Sequence, residues 1–228
     1  MGSTNNQEYQ MGTRANDAYS YPPLLSTLHE SFENGSPIGW STPSEATKGW
    51  IISNSNNTHG AASFVSDNIE DNQSSQVTFS NVFAAGILSF DFTVESEESY
   101  DYFEMHVNDN LVIEKSGCHS ESVTVAVQEG LNTLHFKFSK DYSLSSGFDS
   151  AWIDNVKFVA TDSDSDGMSD SWENKYGYNR KNAGDASLDS DNDNLTNLEE
   201  HNVGTNPNLS DSDNDGLSDY IELNDSHS

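Results

Sequence analysis

Residues Ile87-Leu88-Ser89-Phe90-Asp91-Phe92-Thr93-Val94 set Leu88, Phe90, Phe92 and Val94 against Ile87, Ser89, Asp91 and Thr93. Successive side chains of a strand point to opposite faces, so this alternation reads as one strand with an apolar face and a mostly polar one. The same pattern sets Leu134, Phe136 and Phe138 against His135 and Lys137. It returns in residues 74–82, 102–107, 111–115, 122–127 and 152–159. Asn108-Asp109-Asn110, between two of these runs, reads as the short loop of a hairpin. Many short strands, separated by glycine, asparagine and serine with no convincing helix over some 130 residues, predict an antiparallel jelly-roll β-sandwich across residues 29–161. Trp40, Trp50 and Trp152 fall in strand-like contexts and are assigned to its core. Residues 1–28 are polar and irregular apart from Pro22, Pro23, Leu24, Leu25 and Leu28, and read as a leader or linker.

After Val159 the alternation stops and a different repeat begins. The pattern D-x-D-x-D-G-x-x-D-x-x-E occurs as Asp162, Asp164, Asp166, Gly167, Asp170 and Glu173, and again as Asp211, Asp213, Asp215, Gly216, Asp219 and Glu222. A worn copy between them reads Asp189, Asp191, Asp193, Asn194, Asn197 and Glu200. A calcium ion takes six to eight oxygens, which such a loop offers from side chains at positions 1, 3, 5, 9 and 12 and from the carbonyl at position 7. Here the position-7 carbonyls belong to Met168, Leu195 and Leu217. Position 6 must take a left-handed backbone, which glycine adopts without cost and asparagine tolerates best among the rest. Three in-register copies therefore predict three calcium sites in residues 162–228, the middle one weaker. Magnesium would demand a tighter octahedron that keeps its waters. Each loop is expected to lead into one or two helical turns, with Ser169, Thr196 and Ser218 as caps and Thr196 with Glu199 at capping-box spacing. Met168, Leu195 and Leu217, with Trp172, Leu198 and Ile221, would form a thin apolar seam. No helix precedes the first loop, so these are not paired EF-hands.

Charge narrows the partners. The chain carries 38 acids against nine lysines and arginines, a formal charge of −29. Residues 162–228 alone hold 17 acids against three bases, a formal charge of −14. Binding nucleic acid requires neutralising phosphates with cationic side chains, and gripping anionic lipid requires the same, so both are excluded. No apolar run has the length of a membrane helix, and membrane insertion is not expected. The single Cys118 rules out an internal disulfide. Met1-Gly2-Ser3 has neither the basic start nor the apolar middle of a secretion signal, and reads as an artificial start in place of a natural export signal.

Residues 162–173, 189–200 and 211–222, with the turn Gly204-Thr205-Asn206-Pro207, resemble bacterial thrombospondin type 3 repeats. That resemblance implies a calcium-stabilised, non-catalytic spacer or docking segment of a secreted or cell-surface protein. Asn194 and Asn197 depart from the usual glycine and aspartate. The upstream part resembles MAM-like jelly-roll domains of bacterial adhesins and secreted hydrolases. The pieces that carry this are Phe32-Glu33-Asn34-Gly35 with Gly39-Trp40, the run Ala85 to Phe92, and Ala151-Trp152-Ile153-Asp154-Asn155-Val156. It implies a further structural calcium between Glu33 and Asp154, with Asp71 and Asp149 as helpers.

No histidine spacing matches a zinc protease motif, carboxylates committed to metal cannot shuttle protons, and Cys118 beside His119 in a turn makes a poor nucleophile. The expectation is a non-catalytic extracellular calcium-binding module acting in adhesion or carbohydrate attachment. The alternative is a spacer or accessory module of a larger secreted enzyme, a hydrolase or a polysaccharide lyase. Catalysis by the sandwich itself ranks last, because lysines and arginines are few there. If the loops around residues 97–101 and 141–149 share one edge, Tyr100 and Tyr142 could stack on the sugar rings of a polysaccharide. The identity of such a surface ligand and the oligomeric state stay open.

Overall fold

A computed structural model of the chain describes residues 24–35, 37–54, 60–144 and 146–224. The leader expected over residues 1–28 therefore lies largely outside the described residues, but its end does not. The first strand, β1 (Thr27–Glu30), already pairs antiparallel with the last, β11 (Ser150–Ala160), Thr27 facing Val159. Between them run β2 (Trp40–Ser41), β3 (Trp50–Ser53), β4 (Ser63–Ser66), β5 (Ser74–Phe83), β6 (Gly86–Glu95), β7 (Tyr102–Val107), β8 (Asn110–Lys115), β9 (Cys118–Val127) and β10 (Gly130–Ser139).

They form two facing sheets, the jelly-roll sandwich that the alternation predicts. One follows the order β3-β4-β11-β6-β9, with β1 also on β11, and the other β2-β5-β10-β7-β8. The connection from β5 to β6 passes from one sheet to the other, as does that from β9 to β10. Along β6 burial alternates strictly, with Leu88, Phe90, Phe92 and Val94 buried and the residues between them not. Its register with β9 is unbroken over ten pairs, from Gly86 facing Val127 to Glu95 facing Cys118. A slip of one residue would turn all four apolar side chains to solvent, so the pattern that forms the strand also fixes its pairing.

The core between the sheets is aromatic. Phe92 stacks on Phe103 with centroids 4.8 Å apart, and Phe90 meets Phe136 edge-on at 5.2 Å. Phe32 stacks on Phe64 at 5.1 Å, and Trp40 packs against Phe79 at 5.4 Å. Trp50 and Trp152 are buried as expected. At the β7–β8 hairpin Asn108 turns with φ +57°, its N–H donating to the Thr133 carbonyl and its side-chain oxygen accepting from the Thr133 N–H. Cys118 is a free, exposed thiol.

Residues 160–224 form a second compact unit, together with residues 24–26 and 82–85. Its helices are α1 (Asp170–Tyr176), α2 (Asn197–Val203) and α3 (Asp219–Asn224), one after each acidic loop. Ser169 caps α1 by accepting from the Trp172 N–H, and Gly177 ends it in the left-handed conformation. Thr196 and Glu199 form the capping box expected for α2. Such short helices gain little from propensity alone, so they depend on caps and packing. Their core is Met168, Trp172 and Ala186, with Tyr176, Tyr178 and Leu198 against it. Leu195 is also buried, but Leu217 and Ile221 are exposed. Among the described residues the expected seam thus runs through the first two copies and not the third. Among the described residues no helix is long and apolar enough to cross a membrane.

Candidate metal centre

The three loops share one backbone trace. The first aspartate of each folds back over its own loop. Asp162 accepts from the N–H groups of Ser165 (2.7 Å) and Gly167 (3.1 Å), and Asp189 accepts from Asn192 (2.8 Å) and Asn194 (3.2 Å). Asp211 accepts from Asp215 (3.2 Å) and Gly216 (2.9 Å). Two left-handed residues make this reversal. They are Ser165, Asn192 and Asn214 at position 4, then Gly167, Asn194 and Gly216 at position 6 with φ of +98°, +82° and +99°. Asn194 therefore reproduces the glycine conformation. At position 5, Asp166, Asp193 and Asp215 each accept from the N–H two residues on.

These constraints bring like charges together. Carboxylate oxygens of Asp162, Asp164 and Asp166 lie within 4.8 Å of one another, and so do those of Asp189, Asp191 and Asp193 and of Asp211, Asp213 and Asp215. Asp166, Glu173 and Asp185 form a fourth such group. The position-12 glutamates Glu173 and Glu200 are both 0% exposed. Both oxygens of Asp164 and Glu173, and one each of Asp166, Asp185, Asp191 and Glu200, are buried without a hydrogen-bond partner. Burying a polar group in that state is costly, and burying an unpaired charge more so. Accordingly, burial and then the charges of Asp164, Asp166 and Asp185 push the Glu173 carboxyl up to about 7. Burial and then Asp191, Asp193 and Asp219 push Glu200 up to about 8. Burial also raises Asp166, Asp191 and Asp219. The donors are hard oxygens, the set a calcium ion takes, and a dication among them would supply the missing partner.

The position-9 residues, expected as ligands, also brace their own loops. Asp170 accepts from the Ser163 N–H (2.8 Å) and hydroxyl (2.7 Å), and Asp219 does the same with Ser212 at 2.9 and 2.7 Å. Asn197 accepts from the Ser190 hydroxyl at 2.9 Å. Each braces position 2 of its own loop. The third loop is the most open, with Asp215 and Leu217 exposed and Asp211 and Glu222 half-buried.

Two residues that sequence reasoning passed over join the site. Asp185, four residues before the second loop, is the only charged residue between Asn182 and Leu188 and matches no motif position. His201 is buried, and its Nε2 accepts the N–H of Ser169, the α1 cap, at 3.2 Å. Burial lowers its pKa, so the ring is the neutral acceptor that this bond requires.

In the sandwich, Glu33 and Asp154 are both drawn to the start of β4. Glu33 accepts from the N–H groups of Ala61 (2.8 Å) and Ala62 (3.2 Å), and the buried Asp154 accepts from the Ser63 hydroxyl at 3.1 Å. Their expected helpers are committed elsewhere, since Asp149 pairs with Lys140 and Asp71 lies 3.7 Å from the same ammonium. Lys140 supplies the positive charge beside Asp71 and Asp149. Tyr100 and Tyr142 are both exposed. Their loops are tied together, because the Asp141 N–H donates to Asp101 at 2.9 Å. Phe148 is exposed on the second of these loops. Asp101 is wholly buried, and burial pushes its carboxyl up to about 6.

Parts of the chain are similar to known proteins. The family model for the bacterial TSP3 repeat matches residues 162–177, 189–210 and 211–228. No curated protein matches the sequence. Among solved structures, the K3 cleaved adhesin domain of Lys-gingipain from Porphyromonas gingivalis W83 is similar at 14% identity and a TM-score of 0.44, covering 59% of this chain and 98% of that one. The K2 cleaved adhesin domain of Lys-gingipain is similar at 15% identity and a TM-score of 0.46, covering 60% and 99%. A carbohydrate-binding module of the β-sandwich superfamily, of promiscuous specificity, is similar at 9% identity and a TM-score of 0.41, covering 64% of each chain.

Proposed function

We propose that this chain is a non-catalytic, extracellular calcium-binding module in which residues 162–222 hold three calcium ions and the sandwich serves adhesion or carbohydrate attachment. The observation that carries the reading is the set of buried carboxylate oxygens without partners on Asp164, Asp166, Glu173, Asp185, Asp191 and Glu200, in loops whose aspartates cluster in threes. Bound calcium would supply the positive charge that balances them. Asp162, Asp164, Asp166 and Glu173 would hold the first ion, Asp189, Asp191, Asp193 and Glu200 the second, and Asp211, Asp213, Asp215 and Glu222 the third, with carbonyls of Met168, Leu195 and Leu217. Asp170, Asn197 and Asp219 keep position 2 in place. Sites of this composition are filled at the millimolar calcium found outside cells, which supports a secreted or cell-surface location.

Attachment to a polysaccharide is supported by the exposed rings of Tyr100 and Tyr142 on two loops joined at Asp101. Such rings can cover the apolar faces of sugars while neighbouring acids and amides bond the hydroxyls. Reading the sandwich as MAM-like is supported by the burial of Phe32 against Phe64 and Trp40. A glycan array probed with the intact chain tests attachment. Saturable binding abolished by the Tyr100→Ala, Tyr142→Ala double variant is expected, whereas no binding to any glycan with calcium present would leave the module a spacer of a larger secreted enzyme.

A further inference from the structure

We propose that Asp185, in the segment joining the first two repeats, is a ligand of the first calcium site and couples its filling to that of the second. The proposal rests on the calcium reading above and deepens it. Asp185 is only 5% exposed, and its Oδ1 has no hydrogen-bond partner. Its carboxylate oxygen lies within 4.8 Å of those of Asp166 and of Glu173, which is itself wholly buried with both oxygens unpartnered. Burying three carboxylates together with unpartnered oxygens is costly, and a shared cation would offset that cost.

The backbone of Asp185 belongs to the second repeat. Its carbonyl accepts from the Asn197 side-chain amide at 2.8 Å and from the Leu188 N–H at 3.0 Å. The next residue, Ala186, accepts from the Leu198 N–H at 3.1 Å. One residue thus presents its carboxylate to the first site and its carbonyl to position 9 of the second loop. This accounts for Asn197, where the other two copies carry aspartate. An asparagine amide donates to the Asp185 carbonyl while its oxygen accepts from Ser190, and a carboxylate has no proton to donate. Filling either site holds the same turn, so the ordering cost is met once for both, the condition for positive cooperativity.

The test is a calcium titration of the 228-residue chain followed by amide resonances of Gly167, Asn194 and Gly216, one reporter per loop. In the wild type, Gly167 and Asn194 should shift together. Asp185→Asn should raise the Gly167 midpoint by at least about tenfold, the loss expected when a metal's surroundings lose one charged oxygen, and leave Gly216 in place. Asn197→Asp restores the repeat pattern yet should separate the Gly167 and Asn194 midpoints. An unchanged Gly167 midpoint in Asp185→Asn overturns the proposal. If that variant unfolds, Asn197→Asp decides alone, and coincident midpoints there overturn it. If no wild-type amide responds to calcium, the calcium reading has failed instead.

Discussion

Glu200 is wholly buried beside Asp191, Asp193 and Asp219, and Glu173 beside Asp164, Asp166 and Asp185. With no cation present, their folded carboxyls titrate near 8 and 7, above the ordinary 4.5. A raised folded value means that the native state binds more protons than the unfolded chain. The stability they contribute is present below about pH 4.5 and is lost as pH rises through about 7 to 8. The calcium-free repeats should therefore melt at lower temperature as pH rises across that window, and the calcium-loaded protein should not. A calcium-free melting temperature that rises with pH would contradict the assignment. For the same reason Glu200→Gln should raise the calcium-free melting temperature at pH 8 while weakening calcium binding by at least about tenfold. His201 works in the opposite sense. Its lowered value means that stability is lost as pH falls below about 6.5, when protonation takes away the acceptor of the Ser169 N–H. His201→Ala should cost about 1–2 kcal/mol, read by denaturant unfolding of the loaded protein.

Elements of the sandwich were legible where burial follows period two. The run from Leu88 to Val94 predicts β6 and its buried face, whereas its pairing with β9 is known only from the structure. The loop motif likewise predicts the helix that follows each copy, the caps at Ser169 and Thr196, and the left-handed sixth position. Contacts between elements were not legible. Nothing in Asn182-Ala183-Gly184-Asp185 marks an acid that a later turn buries against Glu173, and Asn197 reads as a decayed ligand until its amide is seen on the Asp185 carbonyl. Leu217 and Ile221 match the seam pattern yet are exposed, because a motif position does not say which neighbour packs on it. Two substitutions separate capping from loop geometry. Thr196→Ala removes the α2 capping box and should cost about 1 kcal/mol with calcium bound or absent. Gly216→Ala meets no atom within 4 Å, so its cost is the backbone alone at φ +99°, about 1–2 kcal/mol at the third loop. Chemical denaturation checks both, and a neutral Gly216→Ala would argue against the loop conformation.

At the scale of the whole molecule, the two compact units are held by different forces. The sandwich buries stacked phenylalanines and tryptophans, a source of stability independent of metal. The repeats bury only the small cluster around Met168 and Trp172, which leaves them marginal against chain entropy and the repulsion of 17 acids without counter-ions. Chelation at neutral pH should therefore lower hydrogen-exchange protection in residues 162–222 steeply while strands β5 to β10 keep theirs. Equal loss in both units would mean that the sandwich also depends on the ion. The most direct test of the metal assignment is calorimetric titration of calcium into the metal-stripped protein at neutral pH. Uptake of three ions is expected, with protons released from Glu173 and Glu200 so that the measured heat varies with the ionisation enthalpy of the buffer. Absence of uptake at millimolar calcium would contradict it.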